Sequence, residues 1–430
     1  MDTAYVTHRT GEPGSPSDPP VVLRSSRDLL AAVPYLLGFR PRECCVVVCV
    51  TEEGQVGLVA RTPLDDLDRA GPDGVDVDLD AHTVARAAGR VRARLALVIL
   101  YTDRPAADVG ACASAVGRAF DDVLGGAVDV ESWLVSLQGY RGLDCADGAC
   151  CPPGGRPVGE LEQGEVGAAF VLAGRVIARS EEEAHRIARA PAAVRDRAAK
   201  AAARGERARG EARADGDDGD RGAIGRWRAE AYATWCDLVR QACAELRTCP
   251  PGDAVTLPPA RLGRLAAALA DVAVRDAVLL SLVPDARDVA DATVSSGRGA
   301  ATAGRGLGAC PEVREVEVAT ARAIARVVDP RVGVPPDAAT AAAARLVLEQ
   351  VVGAAPLRWH APPLALLGFL AWWRGEGWLA ARRVREAVQR DPEHRLAGLL
   401  AGVLRAAVPP GWVSAARAAA PTAVPGAAVG

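Results

Sequence analysis

The chain has 430 residues, half of them hydrophobic, with Lys+Arg 51 against Asp+Glu 54 and a net charge of −3. That length and apolar content suffice for two or three domains with sizeable cores and exclude a solvated, coreless polymer. Lys200 is the only lysine, so the arginines, with the Ala, Gly and Pro load, read as coding bias and give no ground for inferring nucleic acid.

Residues 1–20 hold Gly, Pro, Ser and Asp without an apolar segment, so they predict a disordered leader and neither a secretory nor a transit peptide. No later run approaches the ~20 apolar residues of a membrane span. The expected location is cytoplasmic and no membrane partner is expected. Eleven cysteines, an odd number, point to reduced thiols or a metal site rather than a disulfide framework.

Ser25 to Val50 sets the first domain. Ser25 or Ser26 caps a helix, Asp28 complements its dipole, and Leu29, Leu30 and Val33 form its apolar face. Pro34 restarts or ends that helix, and Gly38 suits a left-handed closure. Cys44 to Val50 then runs without polar alternation, as a strand buried on both faces does. Val56 to Arg61 reads as the second arm of a hairpin, Asp78 or Asp80 as the start of a helix with Val84, Ala87, Ala88, Val91 and Leu95 at helical spacing and a basic end, Leu95 to Tyr101 as a strand, Ala106 to Leu124 as a helix, and Val128 to Leu137 as a third long strand. This order predicts an α/β domain over 21–194, with at least part of its sheet parallel. Ser180 with Glu181 to Glu183 opens a further helix in capping-box style.

From Arg195 to Arg221 there is no large apolar residue, which predicts a charged flexible linker over 195–222. An all-helical domain is expected over 223–408: Trp227 to Leu246, Pro259 to Ala270, Asp271 to Val283, Glu312 to Val328, Pro336 to Val352 and Pro363 to about Ala407, with a Ser/Gly/Ala-rich interruption from Val289 to Ala309. Within it Leu367-Gly368, Gly375, Ala380, Ala387 and Pro392 fall where a tetratricopeptide unit places its small and turn residues, over about 361–394, without a second copy. Adjacent Trp372 and Trp373 favour core packing, and Arg275-Asp276 favours a structural salt bridge to another helix. A disordered tail is expected over 409–430.

The one constellation with metal-ligand chemistry is Cys145-x4-Cys150-Cys151-Pro152 in a Gly/Pro loop. Three thiols fall short of the four ligands of a structural zinc site unless Cys112, a strand cysteine or a second chain contributes. Zinc, a redox or nucleophilic thiol, and a purely structural loop all remain open. No catalytic histidine is apparent, since His82, His185, His360 and His394 sit on or near helices as surface or capping residues. Asp76, Asp78 and Asp80 fail as a calcium loop because Ala81 and Ala87 stand where glycine and glutamate are required. No glycine cluster has the spacing of a nucleotide-binding loop.

The DLLAAVPYLLGFRP stretch before an apolar strand, the Cys-x4-Cys-Cys-Pro-Pro loop, VRDAVLL, and the ending PLALLGFLAWWRGEGWLAARRVREAVQRDPEHRLAGLL together resemble an actinobacterial family catalogued as domain of unknown function 4192. The resemblance spans roughly Val21 to Pro410 and implies no reaction. The cysteine loop matches the family pattern, whereas Cys44-Cys45 departs from it.

The resulting expectation is a cytoplasmic binding or regulatory protein whose helical domain docks a protein partner or its own second copy. The alternative is a thiol- or zinc-dependent enzyme with its site at Cys145, Cys150 and Cys151, near the carboxyl ends of the sheet strands. Nucleic-acid association through the arginines of 195–213 is the weakest reading, because acidic residues interrupt them and no aromatic residue is there to stack.

Overall fold

The computed structural model describes residues 5–6, 21–67, 81–152, 154–214, 221–249, 255–296 and 311–418. They form two compact units, one built mainly from residues up to Arg186 and the other from Ile187 to Gly402 with Pro409–Ala415. No helix among the described residues is long and apolar enough to cross a membrane.

In the first unit, part of the expected leader is ordered: β1 (Tyr5–Val6) pairs antiparallel with β2 (Val22–Leu23). Tyr, Val and Leu suit a pleated surface. Helix α1 (Ser26–Leu37) begins where Ser25 Oγ accepts the Asp28 N–H at 3.2 Å, runs through Pro34, and closes on Gly38 at φ +79°. Strands β3 (Cys44–Thr51) and β4 (Val56–Pro63) make the expected hairpin, and every residue of β3 is buried. The short α2 (Leu64–Leu67) is followed by α3 (Ala81–Arg90), β5 (Ala93–Tyr101), α4 (Ala106–Leu124), β6 (Asp129–Val135) and β7 (Tyr140–Gly142). The unit ends with α5 (Gly159–Glu162), α6 (Glu165–Leu172) and α7 (Glu181–His185), the last capped by Ser180 as expected.

The five long-sheet strands lie in the order β4-β3-β5-β6-β7. Only β5 and β6 are parallel, and the other neighbours are antiparallel. Chain connections explain this, since a tight turn can only reverse a strand while α4 is long enough to return the chain to the same end. On one face Cys45, Val47, Cys49, Ala96, Val98 and Leu100 pack with residues of α3 and α4. Val46, Val48, Leu97 and Ile99 on the other face are equally buried. Tyr35 of α1 stacks on Phe170 of α6 with ring centroids 4.9 Å apart.

The second unit is helical: α8 (Ala192–Ala214), α9 (Arg221–Thr248), α10 (Pro259–Ala268), α11 (Val272–Ser281), α12 (Arg287–Ser296), α13 (Pro311–Val328), α14 (Ala338–Ala354), α15 (Ala361–Trp373), α16 (Gly377–Arg390), α17 (Arg395–Arg405) and α18 (Gly411–Ala418). Three expectations are corrected here. Residues 195–214 of the expected linker are helix α8, which buries Ala198, Ala201 and Ala202. Small residues replace large ones at this contact, because a Cβ on Gly263 of α10 would lie 2.0 Å from the Ala198 carbonyl oxygen. The first part of the expected interruption is α12, with Ala290 and Val294 buried. The expected tail contains α18, held where the Trp412 indole N–H donates to the Trp373 carbonyl at 2.7 Å and Gly411 lies against Asp329.

Trp372 and Trp373 are both in the core, and the Trp373 indole donates to the Val334 carbonyl at 3.0 Å. Arg275 and Asp276 are both buried and bonded to each other within α11, with Arg275 Nη2 2.8 Å from Asp276 Oδ1. Asp271, the α11 cap, ties helices together, receiving Arg228 from α9 at 3.0 Å and Arg213 from α8 at 3.1 Å. At the crossing of α15 and α16, a Cβ on Gly368 would meet Val384 Cγ2 at 2.8 Å, Gly375 turns at φ +83°, and Ala380 and Ala387 are fully buried. The rest of the leader, Asp76 to Asp80, Asp215 to Asp220, residues 297–310 and the tail beyond 418 lie outside the described residues.

Candidate functional site

The cysteine loop hangs from the edge of the sheet. Gly142 of β7 pairs with Trp133 of β6, and the Leu143 N–H continues the ladder to the Ser132 carbonyl at 2.8 Å. The base is closed by reciprocal 2.8 Å bonds between the Tyr140 and Arg156 backbones. Gly139 permits this closure, since a Cβ there would stand 2.8 Å from the Arg156 carbonyl oxygen.

Inside the loop Asp147 is the organiser. Its side chain accepts the Ala149 N–H at 2.8 Å, and its carbonyl accepts the Cys151 N–H at 2.7 Å. Arg156 Nε donates to the Cys150 carbonyl at 2.9 Å. These bonds turn the chain so that the sulfurs of Cys145, Cys150 and Cys151 all lie within 4.8 Å of one another. A tetrahedral zinc ion with Zn–S bonds of about 2.3 Å spaces its thiolates by roughly 3.8 Å, so small side-chain rotations bring the three into a ligand set. The Gly142 N–H donates to Cys151 Sγ at 3.3 Å, the kind of bond that steadies a charged sulfur. Gly142 also leaves the sulfurs room: a Cβ would approach Cys145 Cβ to 3.2 Å and Cys151 Sγ to 3.6 Å.

The sequence brings these three cysteines to attention, and the structure brings them together. The supporting residues Gly142, Asp147 and Arg156 carry no sequence signal beyond lying in or beside the loop. Among the described residues the other thiols do not join them. Cys112 packs against the core cluster that holds Cys45 and Cys49. Burial pushes the Cys49 thiol up to about 12 and raises Cys44 and Cys45 as well; such thiols stay protonated and unreactive. The expected place of the loop is also corrected: it leaves beside the middle of β6, and none of the three cysteines lines the crevice at the carboxyl ends of β5 and β6. The loop forms after an antiparallel edge strand, which carries the chain away from that end.

Of the histidines, His82 fits the expected surface role and His394 the expected capping role, although His394 is buried and His360 is partly so. His82 is exposed, 3.9 Å from Asp122. His394 Nδ1 accepts the Ala397 N–H at 3.3 Å at the start of α17. His360 Nε2 lies 2.9 Å from the Ala355 carbonyl.

Compared with known protein families, residues 27–303 and 299–411 match the family described as Domain of unknown function (DUF4192). No curated protein and no solved structure matches.

Proposed function

The chain belongs to the family described as Domain of unknown function (DUF4192), a membership that brings no reaction with it, and from its own geometry we propose a metal-binding protein in which Cys145, Cys150 and Cys151 hold a zinc ion. The observation behind this reading is the convergence of three sulfurs within 4.8 Å on a loop braced by Asp147 and Arg156. Thiolates select soft or borderline cations, and zinc is the common redox-silent one. Three protein ligands leave the fourth position to water or to a group from a partner, the arrangement a regulatory or a catalytic centre uses. The reading assigns the protein to the cytoplasm of an actinobacterium, a compartment in which free thiols persist.

Full-length protein purified under reductant and without chelator should carry close to one zinc per chain by elemental analysis. The Cys145→Ser/Cys150→Ser/Cys151→Ser variant should carry none, and Cys112→Ser should match wild type. Cobalt substitution should give the intense absorption of a tetrahedral thiolate site. Equal metal content in wild type and triple variant would sink the reading.

A second reading concerns the helical unit. The α15–α16 hairpin has the close crossing and glycine turn of a tetratricopeptide-like unit, and Leu357 and Leu399 stand exposed in the same helical region. These features favour docking of a protein partner or a second copy. Sedimentation of the full chain should reveal a concentration-dependent dimer that Leu357→Glu and Leu399→Glu abolish; a strict monomer at high concentration removes the self-association half of this reading.

A further inference from the structure

The strand and loop cysteines of the first unit differ in access. Cys44, Cys45 and Cys49 are closed inside the sheet, where burial raises their thiols above the usual range. Cys145 and Cys150 are exposed, and Cys151 is half-buried beside them. An oxidant dissolved in water therefore meets the loop first, because only an accessible sulfur can be attacked.

Geometry sets the pairing. The three loop sulfurs lie within 4.8 Å of one another, and rotation of a side chain covers the remaining distance to a disulfide bond of about 2.05 Å. Neighbouring Cα atoms across a trans peptide stand about 3.8 Å apart, short of the roughly 4.4–6.8 Å that a disulfide spans. Cys150 and Cys151 are thus poor partners for each other, which makes Cys145 one end of the bridge. The other end is Cys151, since both side chains converge over Gly142: a Cβ there would lie 3.2 Å from Cys145 Cβ and 3.6 Å from Cys151 Sγ. The hydrogen bond of Cys145 Sγ to the Asp147 carbonyl is long, 4.0 Å, and yields easily. Cys151 Sγ is held in place by the Gly142 N–H at 3.3 Å.

We propose that Cys145 and Cys151 are a modification site for hydroperoxides, which join the two as a reversible disulfide and so empty the zinc site. The Cys145 thiolate attacks the peroxide and breaks its O–O bond, giving a sulfenic acid and, with one proton, water or an alcohol. The Cys151 thiolate then attacks that sulfur, the S–O bond breaks, and the departing hydroxide takes a second proton and leaves as water. The two sulfurs lose two electrons and the peroxide gains them. Cys150 remains as a lone ligand, too few to retain the ion, and takes up a proton. A reducing thiol returns the disulfide to the dithiol by exchange. The release of metal rests on the zinc reading above, whereas the disulfide does not.

The test uses the full chain, reduced and zinc-loaded, and one equivalent of hydrogen peroxide, followed by alkylation and peptide mapping. Two loop thiols per chain should be lost to a disulfide between Cys145 and Cys151, with one zinc passing to a chromophoric chelator and dithiothreitol restoring both thiols. The loop thiols should react about tenfold or more faster than Cys44, Cys45 and Cys49. Cys150→Ser should still form the bridge, and Cys151→Ser should stop at a Cys145 sulfenic acid that dimedone traps. The same mapping on chelator-stripped protein keeps the two ideas apart: a purified protein without zinc removes the metal site alone, and the bridge is still scored on its thiols. Loop thiols that survive the peroxide, equal rates at loop and strand thiols, a bridge to Cys150 in place of Cys151, or a bridge formed with zinc retained would each overturn the proposal.

Discussion

Gly263→Ala should damage the helical unit far more than one methyl group ordinarily does. In the structure a Cβ at this position meets the Ala198 carbonyl oxygen at 2.0 Å and its carbon at 2.7 Å. A relaxed carbon–oxygen contact is about 3.3 Å or more, so α10 and α8 must part by over an ångström. The obstacle is backbone and cannot rotate away. Separation would open the contact on both sides, where Ala198, Ala201, Ala202, Ala266 and Ala267 are all buried. Overpacking a core costs typically 1–3 kcal/mol, and the rigidity here places the change at the upper end, about 3 kcal/mol. For a unit of this size that lowers the melting temperature by roughly 6–12 °C. Denaturant unfolding followed by tryptophan fluorescence reads it directly, because Trp235 is buried in the same unit. Gly210→Ala is the internal control: it lies on α8 with nothing within 4 Å of its added methyl, and helix propensity should make it stabilising by up to about 1 kcal/mol. If the two variants shift stability in the same direction, or Gly263→Ala stays within about 0.5 kcal/mol of wild type, then residues 192–214 are not packed as described.

Asp271→Ala should cost about 3–5 kcal/mol in the same assay, because it strips the partner from Arg228, only 14% exposed; Arg213→Ala, at a half-exposed residue, should cost about 1 kcal/mol or less. Burial holds His360 and His394 below the usual histidine range, with Arg275 adding to the effect on His394. The folded state therefore favours neutral rings: their contribution is complete above the unfolded value of about 6.5 and is lost as pH falls through it toward the lowered folded values. The urea midpoint should drop between about pH 7.5 and 5.5, and less so in His394→Gln; equal slopes in both proteins would refute the assignment. Gly142→Val, which crowds the Cys145 and Cys151 side chains, should weaken zinc binding by about 10–100-fold without moving the melting of the helical unit, as read by competition with a chromophoric chelator.

The elements legible in the sequence are those built from large apolar side chains. The α1 cap, Gly38, the unbroken Cys44 to Val50 run and the strand at Leu95 to Tyr101 all form as read, because burial of Val, Leu and Ile on both faces admits few alternatives. The antiparallel placement of β3 beside β5 was out of reach, since two fully apolar strands carry no polar pattern to fix direction. Helix α8 was misread for a different reason. Its contact with α10 is made by Ala198, Ala201 and Ala202 against Gly263, and alanine spaced three and four apart looks the same in a solvated helix as in a tightly packed one. Helix α18 was hidden likewise: one Trp412 hydrogen bond and a glycine contact anchor a stretch whose composition reads as tail.

The cysteine loop and the crevice outside the ends of β5 and β6 differ in the same way. The cysteine loop is local, so three cysteines within seven residues announce it. The crevice draws on segments near residues 30, 42, 102, 135 and 161, and no one of these segments has a spacing to recognise; only the sheet register brings them to one end. Yet both rest on the same short edge. Tyr140 pairs with Val135 in the sheet and donates its hydroxyl to Glu160 at 3.1 Å. Glu160 also receives Arg156, whose Nε holds the Cys150 carbonyl inside the thiol loop. It belongs to α5, which supplies Leu161 and Glu162 to the crevice. Residues 139–162 therefore have to satisfy two sets of contacts at once, one fixing the sulfurs and one fixing the crevice wall. The tightest point of that segment is the loop base, where Gly139 has no room for a Cβ against Arg156 and Gly155, at φ +76°, lies against Tyr140.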